Sequence, residues 1–225
     1  MIGGCLLKHV YYKDAAVGTL KDDQLINLQT GTLLHASRET AVRKYEKELK
    51  ALIKEQFGEE PIAIYQEMRI TDPDTGVTGH PDIIIEYENH FDIIDDKYVK
   101  MYKYKKTFAR AKRDRDPKNL DNYKMQIIQY ALIFEKMSGK KMRHAIIMLG
   151  KKDDLFQREV PVYKSEWEDA IKKYWKDLEE LDQATKILGV MPGVTYGVPF
   201  HSWECNYCRY KAHCFPNEPA DDVPF

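Results

Sequence analysis

Three cysteines fall close together near the C-terminus, Cys205, Cys208 and Cys214, in the spacing C-x2-C-x5-C; the fourth, Cys5, lies almost the whole chain away. Four thiolates are what a [4Fe–4S] cluster or a structural Zn²⁺ requires. If all four hold one group, the two chain ends are tied together over everything between them. The spacing accepts iron or zinc, because both take four thiolates in a tetrahedral arrangement. Trp203, Tyr207, Tyr210 and Phe215 flank the triplet and suit either a shield around a cluster or ordinary packing.

A chain of 225 residues suits one globular domain with a small C-terminal appendage. The expected division is an N-terminal segment 1–30 with the first cysteine, a core 31–188 and a cysteine-rich segment and tail 189–225. Neither a secretory leader nor an apolar run of membrane-spanning length is evident, so a soluble, cytoplasmic protein is the expectation. Four cysteines in such a chain point to metal rather than disulfides.

The periodicity predicts a helix over 31–57, ended by Gly58, and then a strand Ile62–Ile70. Asp72-Pro73-Asp74-Thr75-Gly76 has the composition of a turn. Strands follow over Gly79–Tyr87 and Phe91–Lys100, joined by a tight connection at Glu88-Asn89-His90. A basic stretch runs to about Lys118. Leu120–Met137 reads as a helix closed by Ser138-Gly139, Arg143–Leu149 as a strand and Leu155–Val162 as its partner. Ser165 is placed to cap a last helix reaching about Leu188, and Gly189–Pro199 reads as a loop. Pro216–Phe225 reads as a poorly ordered tail. This order implies a mixed α/β core with helices packed on a small sheet.

The acidic residues of the central strands carry the chemistry. Asp95 and Lys97 share a strand face and Asp96 points away. Through the hairpin, Asp82 can approach Asp95. Adjacent carboxylates in apolar sequence repel unless a cation joins them, and oxygen ligands suit Mg²⁺ or Mn²⁺. Lys97 supplies a positive group beside them. Between Lys97 and Lys124 there are eleven Lys and Arg against three Asp, a local +8 that leaves −9 for the rest of a chain of net −1. Lys100, Lys103, Lys105, Lys106, Arg110, Lys112 and Arg113 lie here with Tyr98, Tyr102, Tyr104 and Phe108 between them. Cations interleaved with aromatic rings suit single-stranded nucleic acid.

Pro81-Asp82 followed by Asp95-x-Lys97 resembles the PD-(D/E)xK nuclease superfamily. Gly31-x3-His35 looks like its upstream histidine motif, Glu67 matches an acidic position of related members, and Gln126-x3-Tyr130 resembles the RecB-like branch. With Cys5 and the C-terminal triplet, the pattern is similar to Cas4-like and AddB-type iron–sulfur exonucleases. The resemblance implies a restriction-endonuclease-like core with a C-terminal four-cysteine cluster segment. It implies Mg²⁺ or Mn²⁺ held by His35, Asp82, Asp95 and the carbonyl of Asp96, with Lys97 as the catalytic lysine. Gln126 and Tyr130 would orient Lys97 or contact DNA, and Glu67 is a further candidate. Cys5, Cys205, Cys208 and Cys214 would hold [4Fe–4S], with Zn²⁺ as the alternative. The activity implied is exonucleolytic cleavage of single strands or DNA ends, in recombination, repair, phage replication or foreign-DNA processing, with protein partners in a DNA-processing complex. A structure-specific endonuclease and a non-catalytic DNA-binding or assembly subunit are the alternatives. Three features depart from the family pattern: Asp95 replaces the commoner Glu, Tyr98 follows the lysine where a small hydroxyl residue is common, and the segment after the third strand is long and highly charged.

Overall fold

The computed structural model describes residues 22–109, 120–151 and 156–188, together with Cys208 and Cys214. Ile26–Glu168 form one compact unit, and the described residues of 1–25 and 169–225 form another. The first unit holds every site residue treated below.

Two helices open the described chain, α1 (Asp22–Lys44) and α2 (Glu46–Phe57). Sequence periodicity predicts one continuous helix here. The interruption falls at Tyr45, whose φ of −114° and ψ of 27° leave the helical region. Gln66, in the amide orientation that satisfies both its groups, donates to the Glu39 carbonyl and accepts from the Arg43 N–H. A side chain reaching into the ladder one turn earlier is a recognised cause of such a break. Gly58 stops α2 as expected, with φ of 77° and its N–H on the Lys54 carbonyl.

The main sheet has the order β1 (Ala63–Gln66), β4 (Ile83–Glu86), β5 (His90–Val99), β6 (Lys141–Lys151), β7 (Gln157–Val162). Neighbours are antiparallel except β5 and β6. A parallel pair needs a crossover, and α4 (Asp121–Ser138) lies on that connection. The basic stretch contains a short helix that sequence reading left out, α3 (Met101–Thr107). The last helix, α5 (Lys164–Leu188), begins one residue before the predicted cap Ser165. The expected loop 189–199 and the tail lie outside the described residues.

Two predicted strands are each split. Ile62–Ile70 becomes β1 and a separate β2 (Ile70–Thr71), because Glu67 turns the chain at φ 47°. Gly79–Tyr87 becomes β3 (Thr78–Gly79) and β4, divided at Pro81, which has no N–H for a ladder. β2 and β3 form a small second sheet across the Asp72–Gly76 turn. That hairpin is tied to α4: the buried Asp72 carboxylate lies 2.8 Å from Lys136 Nζ.

Helices cover both faces of the main sheet. On one face Ile64, Ile83 and Tyr87 pack with Ile53 of α2, against Val42 and Leu49. On the other, Phe134 of α4 meets Phe91 edge-on at 4.8 Å. Ile84, Ile93, Ile127 and Ile128 are fully buried, each contributing roughly 1.5–3 kcal/mol by leaving water. Among the described residues no helix is long and apolar enough to cross a membrane. Ile93→Ala is expected to cost about 2–5 kcal/mol through the cavity it leaves, read as a lowered urea midpoint. Ile62→Ala, at a residue that is 57% exposed, is expected to stay within about 0.5 kcal/mol.

Candidate active site

The site forms where β4 starts and β5 continues. Ile83 pairs with Ile94, and beyond that point β5 runs on to Val99 with only β6 beside it. The edge of β5 that faced β4 is therefore open. Asp82, the residue before β4, fills the gap: its Oδ2 accepts the Asp96 N–H at 2.5 Å. The N–H and carbonyl of one strand residue point to the same edge, so the Asp96 carbonyl also faces the Asp82 side.

α1 delivers two side chains to this point. His35 Nδ1 lies 3.4 Å from Asp82 Oδ1. Arg38, one turn further on, is paired with the Asp96 carboxylate, which is 2% exposed. On the other face of β5, Lys97 Nζ is 2.6 Å from Asp95 Oδ2. The expected alternation is thus present: Asp95 with Lys97, Asp96 elsewhere. Glu67 enters from the turn after β1, its N–H on the Asp82 carbonyl at 3.1 Å. One ligand atom each of His35, Glu67 and Asp82 lie within 4.8 Å of one another. The predicted ligand Asp95 does not join this trio; its carboxylate is engaged by Lys97.

Electrostatics follow from burial and neighbours. The Asp82 hydrogen bond raises His35, against burial. Burial and the Asp82 charge push Glu67 up to about 7. Burial also pushes Asp95 up to about 6, opposed by Lys97. Burial works to raise Asp82, but His35, Lys97 and the Asp96 N–H together hold it below the usual carboxylate range. Burial raises Asp96 as well, with Arg38 opposing. Lys97 is lowered by burial and raised further by Asp95 and Asp82, so it stays an ammonium.

Gln126 and Tyr130 lie one turn apart on α4, with Gln126 Nε2 2.8 Å from the Tyr130 hydroxyl. The charge of Asp95 reaches Tyr130, whose phenol is raised chiefly by burial. Gly79 gives Tyr130 its seat: a Cβ there would lie 2.3 Å from the ring.

Sequence reading did not assign roles to Arg38 or Gln66, and placed Tyr98 among the rings interleaved with the basic stretch. Arg38 carries the usable signal, three residues beyond His35 on the same helix. Tyr98 has a structural partner that explains its size. Its ring lies where Gly150 leaves space, 2.8 Å from the position of an added Cβ. Its hydroxyl accepts from Gln157 Nε2 at 2.9 Å, and its ring stands edge-on to His35 at 6.1 Å.

Lys100, Lys103, Lys105 and Lys106 are described, on or beside α3. Arg110, Lys112 and Arg113 lie outside the described residues, as do Cys5 and Cys205. Cys208 and Cys214 are partly buried. The four-cysteine arrangement therefore falls outside what the structure describes.

The family model of the PD-(D/E)XK nuclease superfamily matches residues 24–215. The chain belongs to this superfamily. The matched span contains every residue of the acidic site, whereas Cys5 precedes it. No curated protein matches the chain. Among solved structures it is similar to the protein SSO0001, at 17% identity and TM-score 0.47, over 96% of this chain and 84% of that one. It is also similar to a candidate exonuclease from Eubacterium rectale, at 14% identity and TM-score 0.48, over 98% and 84%. An alkaline exonuclease from Laribacter hongkongensis matches at 15% identity and TM-score 0.35, over 81% and 91%. The mixed sheet with helices on both faces is consistent with the restriction-endonuclease-like core of the superfamily.

Gly150→Ala alone is expected to destabilise the protein by about 1–3 kcal/mol, because the new methyl meets the Tyr98 ring. In the double variant with Tyr98→Thr most of that loss should vanish, a coupling that urea midpoints of the two single variants and the double variant will show.

Proposed function

We propose that this chain is a metal-dependent deoxyribonuclease, an exonuclease acting on single strands or DNA ends. The observation that carries the reading is the convergence of His35 and Asp82, with the Lys97-paired Asp95 on the adjoining strand, in a PD-(D/E)XK chain. The donors fit a hard divalent cation: an imidazole, carboxylates and a strand carbonyl, with two carboxyl groups driven above their usual range by burial and by the neighbouring Asp82 charge. Mg²⁺ or Mn²⁺ would be held by His35, Asp82, Asp95 and the Asp96 carbonyl, with Glu67 beside them. Such an ion polarises a phosphate and lowers the pKa of a bound water.

The protein's own groups do the rest. Lys97 stays protonated, so it acts as a hydrogen-bond donor and a positive charge toward the attacked phosphate, rather than as a general base. Asp95 holds Lys97 in place. Arg38 neutralises Asp96 and so keeps a further carboxylate from competing for the site. Gln126 and Tyr130 approach from α4 to orient Lys97 or contact the strand. The Gln126-x3-Tyr130 spacing supports the RecB-like branch, and with it exonucleolytic action. Cys5, Cys205, Cys208 and Cys214 extend the likeness to Cas4-like and AddB-type enzymes; on that reading they hold [4Fe–4S]. The pathways that fit are recombination, repair, phage replication and foreign-DNA processing.

With Mn²⁺, labelled linear single strands are expected to be degraded while closed single-stranded circles stay intact. Asp82→Asn and Lys97→Ala should each lower the rate by at least about 100-fold with oligonucleotide binding retained. Cut circles would replace the exonuclease with an endonuclease, and binding without cleavage in any divalent metal would leave a binding subunit.

The pH dependence of metal binding has a definite sign. Glu67 and Asp95 titrate near 7 and 6, and His35 is raised from its ordinary value. All three bind a cation only after losing a proton, so low pH opposes binding. Mn²⁺ affinity, followed by electron paramagnetic resonance of the free ion, is expected to rise steadily from about pH 5.5 to 7.5. Glu67→Gln should flatten the upper half of that rise.

A further inference from the structure

Between β1 and β4 the chain leaves the main sheet as the β2–β3 hairpin and returns at Asp82, so this hairpin rises directly from the site. Ile70 pairs with Gly79, and the Glu67 N–H meets the Asp82 carbonyl at 3.1 Å. Both contacts belong to one register, and that register sets Arg69 opposite His80. Ile70 and Gly79 are buried, with Gly79 against the Tyr130 ring of α4. Arg69 and His80 are exposed, as the alternation of faces along a strand requires.

Five arginines are among the described residues, and four have partners: Arg38 on Asp96, Arg43 on Glu39, Arg143 on Asp92 and Arg158 over the Phe108 ring. Among the described residues the Arg69 guanidinium has none. The reasons are local. His80, opposite it, is not an acid. Asp82 is engaged by His35 and the Asp96 N–H. Glu67 is turned at φ 47° into the group with His35 and Asp82. Asp72 and Asp74 of the hairpin turn are held by Lys136. A planar fork of donors beside several carboxylates, yet tied to none of them, is free for an outside anion.

The topology says which anion fits. β1 and β5 flank β4 and are both antiparallel to it, so their C-terminal ends lie at the same end of the sheet. The exposed Lys100 and α3 continue from β5, and Arg69 continues from β1. The site therefore opens between cations on two sides, which suits a chain of phosphates rather than a single one.

We propose that Arg69 is a phosphate-binding residue that holds the substrate strand on the β1 side of the site, at a phosphate neighbouring the cleaved one. His80, opposite Arg69, is two residues from Asp82, about 7 Å of extended chain, which places the guanidinium beside the cation site and not in it. This deepens the nuclease reading and rests on it for where the cleaved phosphate lies. Arg69 supplies binding common to the ground and transition states, so it acts on KM rather than kcat.

The test uses single-stranded oligonucleotides in which one phosphate at a time is replaced by a neutral methylphosphonate. Binding is measured on the full chain in Ca²⁺, and cleavage in Mn²⁺. For the unaltered protein, one methylphosphonate position near the cleaved bond should weaken binding about five- to tenfold. Arg69→Ala should show that loss on the natural strand and no further loss at that position. Its salt slope should fall by about 0.7, and its KM should rise with kcat kept. Arg69→Lys keeps the charge without the fork and should fall between the two. Lys47→Ala removes an exposed cation from α2 and should leave the position dependence intact. Because the Arg69 side chain is exposed, its replacement is expected to cost at most about 0.5 kcal/mol of stability. If Arg69→Ala loses nothing, loses equally at every position, or falls only in kcat, the proposal is wrong while the nuclease reading stands. If the unaltered protein neither binds nor cuts any oligonucleotide, the nuclease reading fails and takes the proposal with it.

Discussion

The carboxylate of Asp82 is the contact on which this site is built. A strand that outlasts its neighbour leaves backbone groups unpaired, and an unpaired buried N–H is costly. Asp82 resolves this for β5 by accepting the Asp96 N–H. Its other oxygen meets His35, and its own carbonyl receives the Glu67 N–H. One residue thus ties together the start of β4, the open edge of β5, the first helix and the turn after β1. Pro81 makes this possible by breaking the strand just ahead of it, so the Asp82 side chain is free to turn toward β5 rather than join a continuous ladder.

The charges around Asp82 fall into two sets on opposite faces of β5. Arg38 neutralises Asp96 on the helix α1 side, and Lys97 answers Asp95 on the α4 side. Each pair is well buried, and breaking one would strand a charge in the sheet. Glu67 has no such cation assigned to it, and its carboxyl is driven upward by burial and by Asp82. Among the described residues around Asp82, negative charge therefore gathers at Asp82 and Glu67, between the first helix and the start of β4. That is where the proposed cation would sit.

Much of this was legible in the sequence. The β-branched runs at Ile83–Ile85 and Ile93–Ile94 marked the central strands, and the residues between them marked a hairpin whose register brings Asp82 beside β5. His35, Lys97, Gln126 and Tyr130 stood in readable motif order. What sequence missed were features set by backbone torsion and by distant partners. Glu67 at φ 47° ends one predicted strand and starts another, and no local composition signals it, because a glutamate is an unusual residue for that conformation. Just before the break at Tyr45, the helix backbone meets the side chain of Gln66, twenty-one residues on. The pairing of Arg38 with Asp96 and of Tyr98 with Gly150 are long-range fits that a periodic pattern cannot express.

Two of the departures from the family pattern acquire a physical reading. Tyr98 is accommodated by the missing side chain at Gly150, so a large ring after the lysine costs no strain and leaves an aromatic edge against His35. Asp95 is shorter by one methylene than the commoner Glu. At that length its carboxylate lies on Lys97, outside the trio of His35, Glu67 and Asp82. Glu67 is the carboxylate within that trio, where the left-handed turn after β1 places it. A shortened arm on one strand and a strained residue on another are then two parts of one arrangement. Backbone strain of about 1–3 kcal/mol persists where the surroundings over-determine it, and here the Gln66 amide on one side and the Asp82 carbonyl on the other supply that constraint.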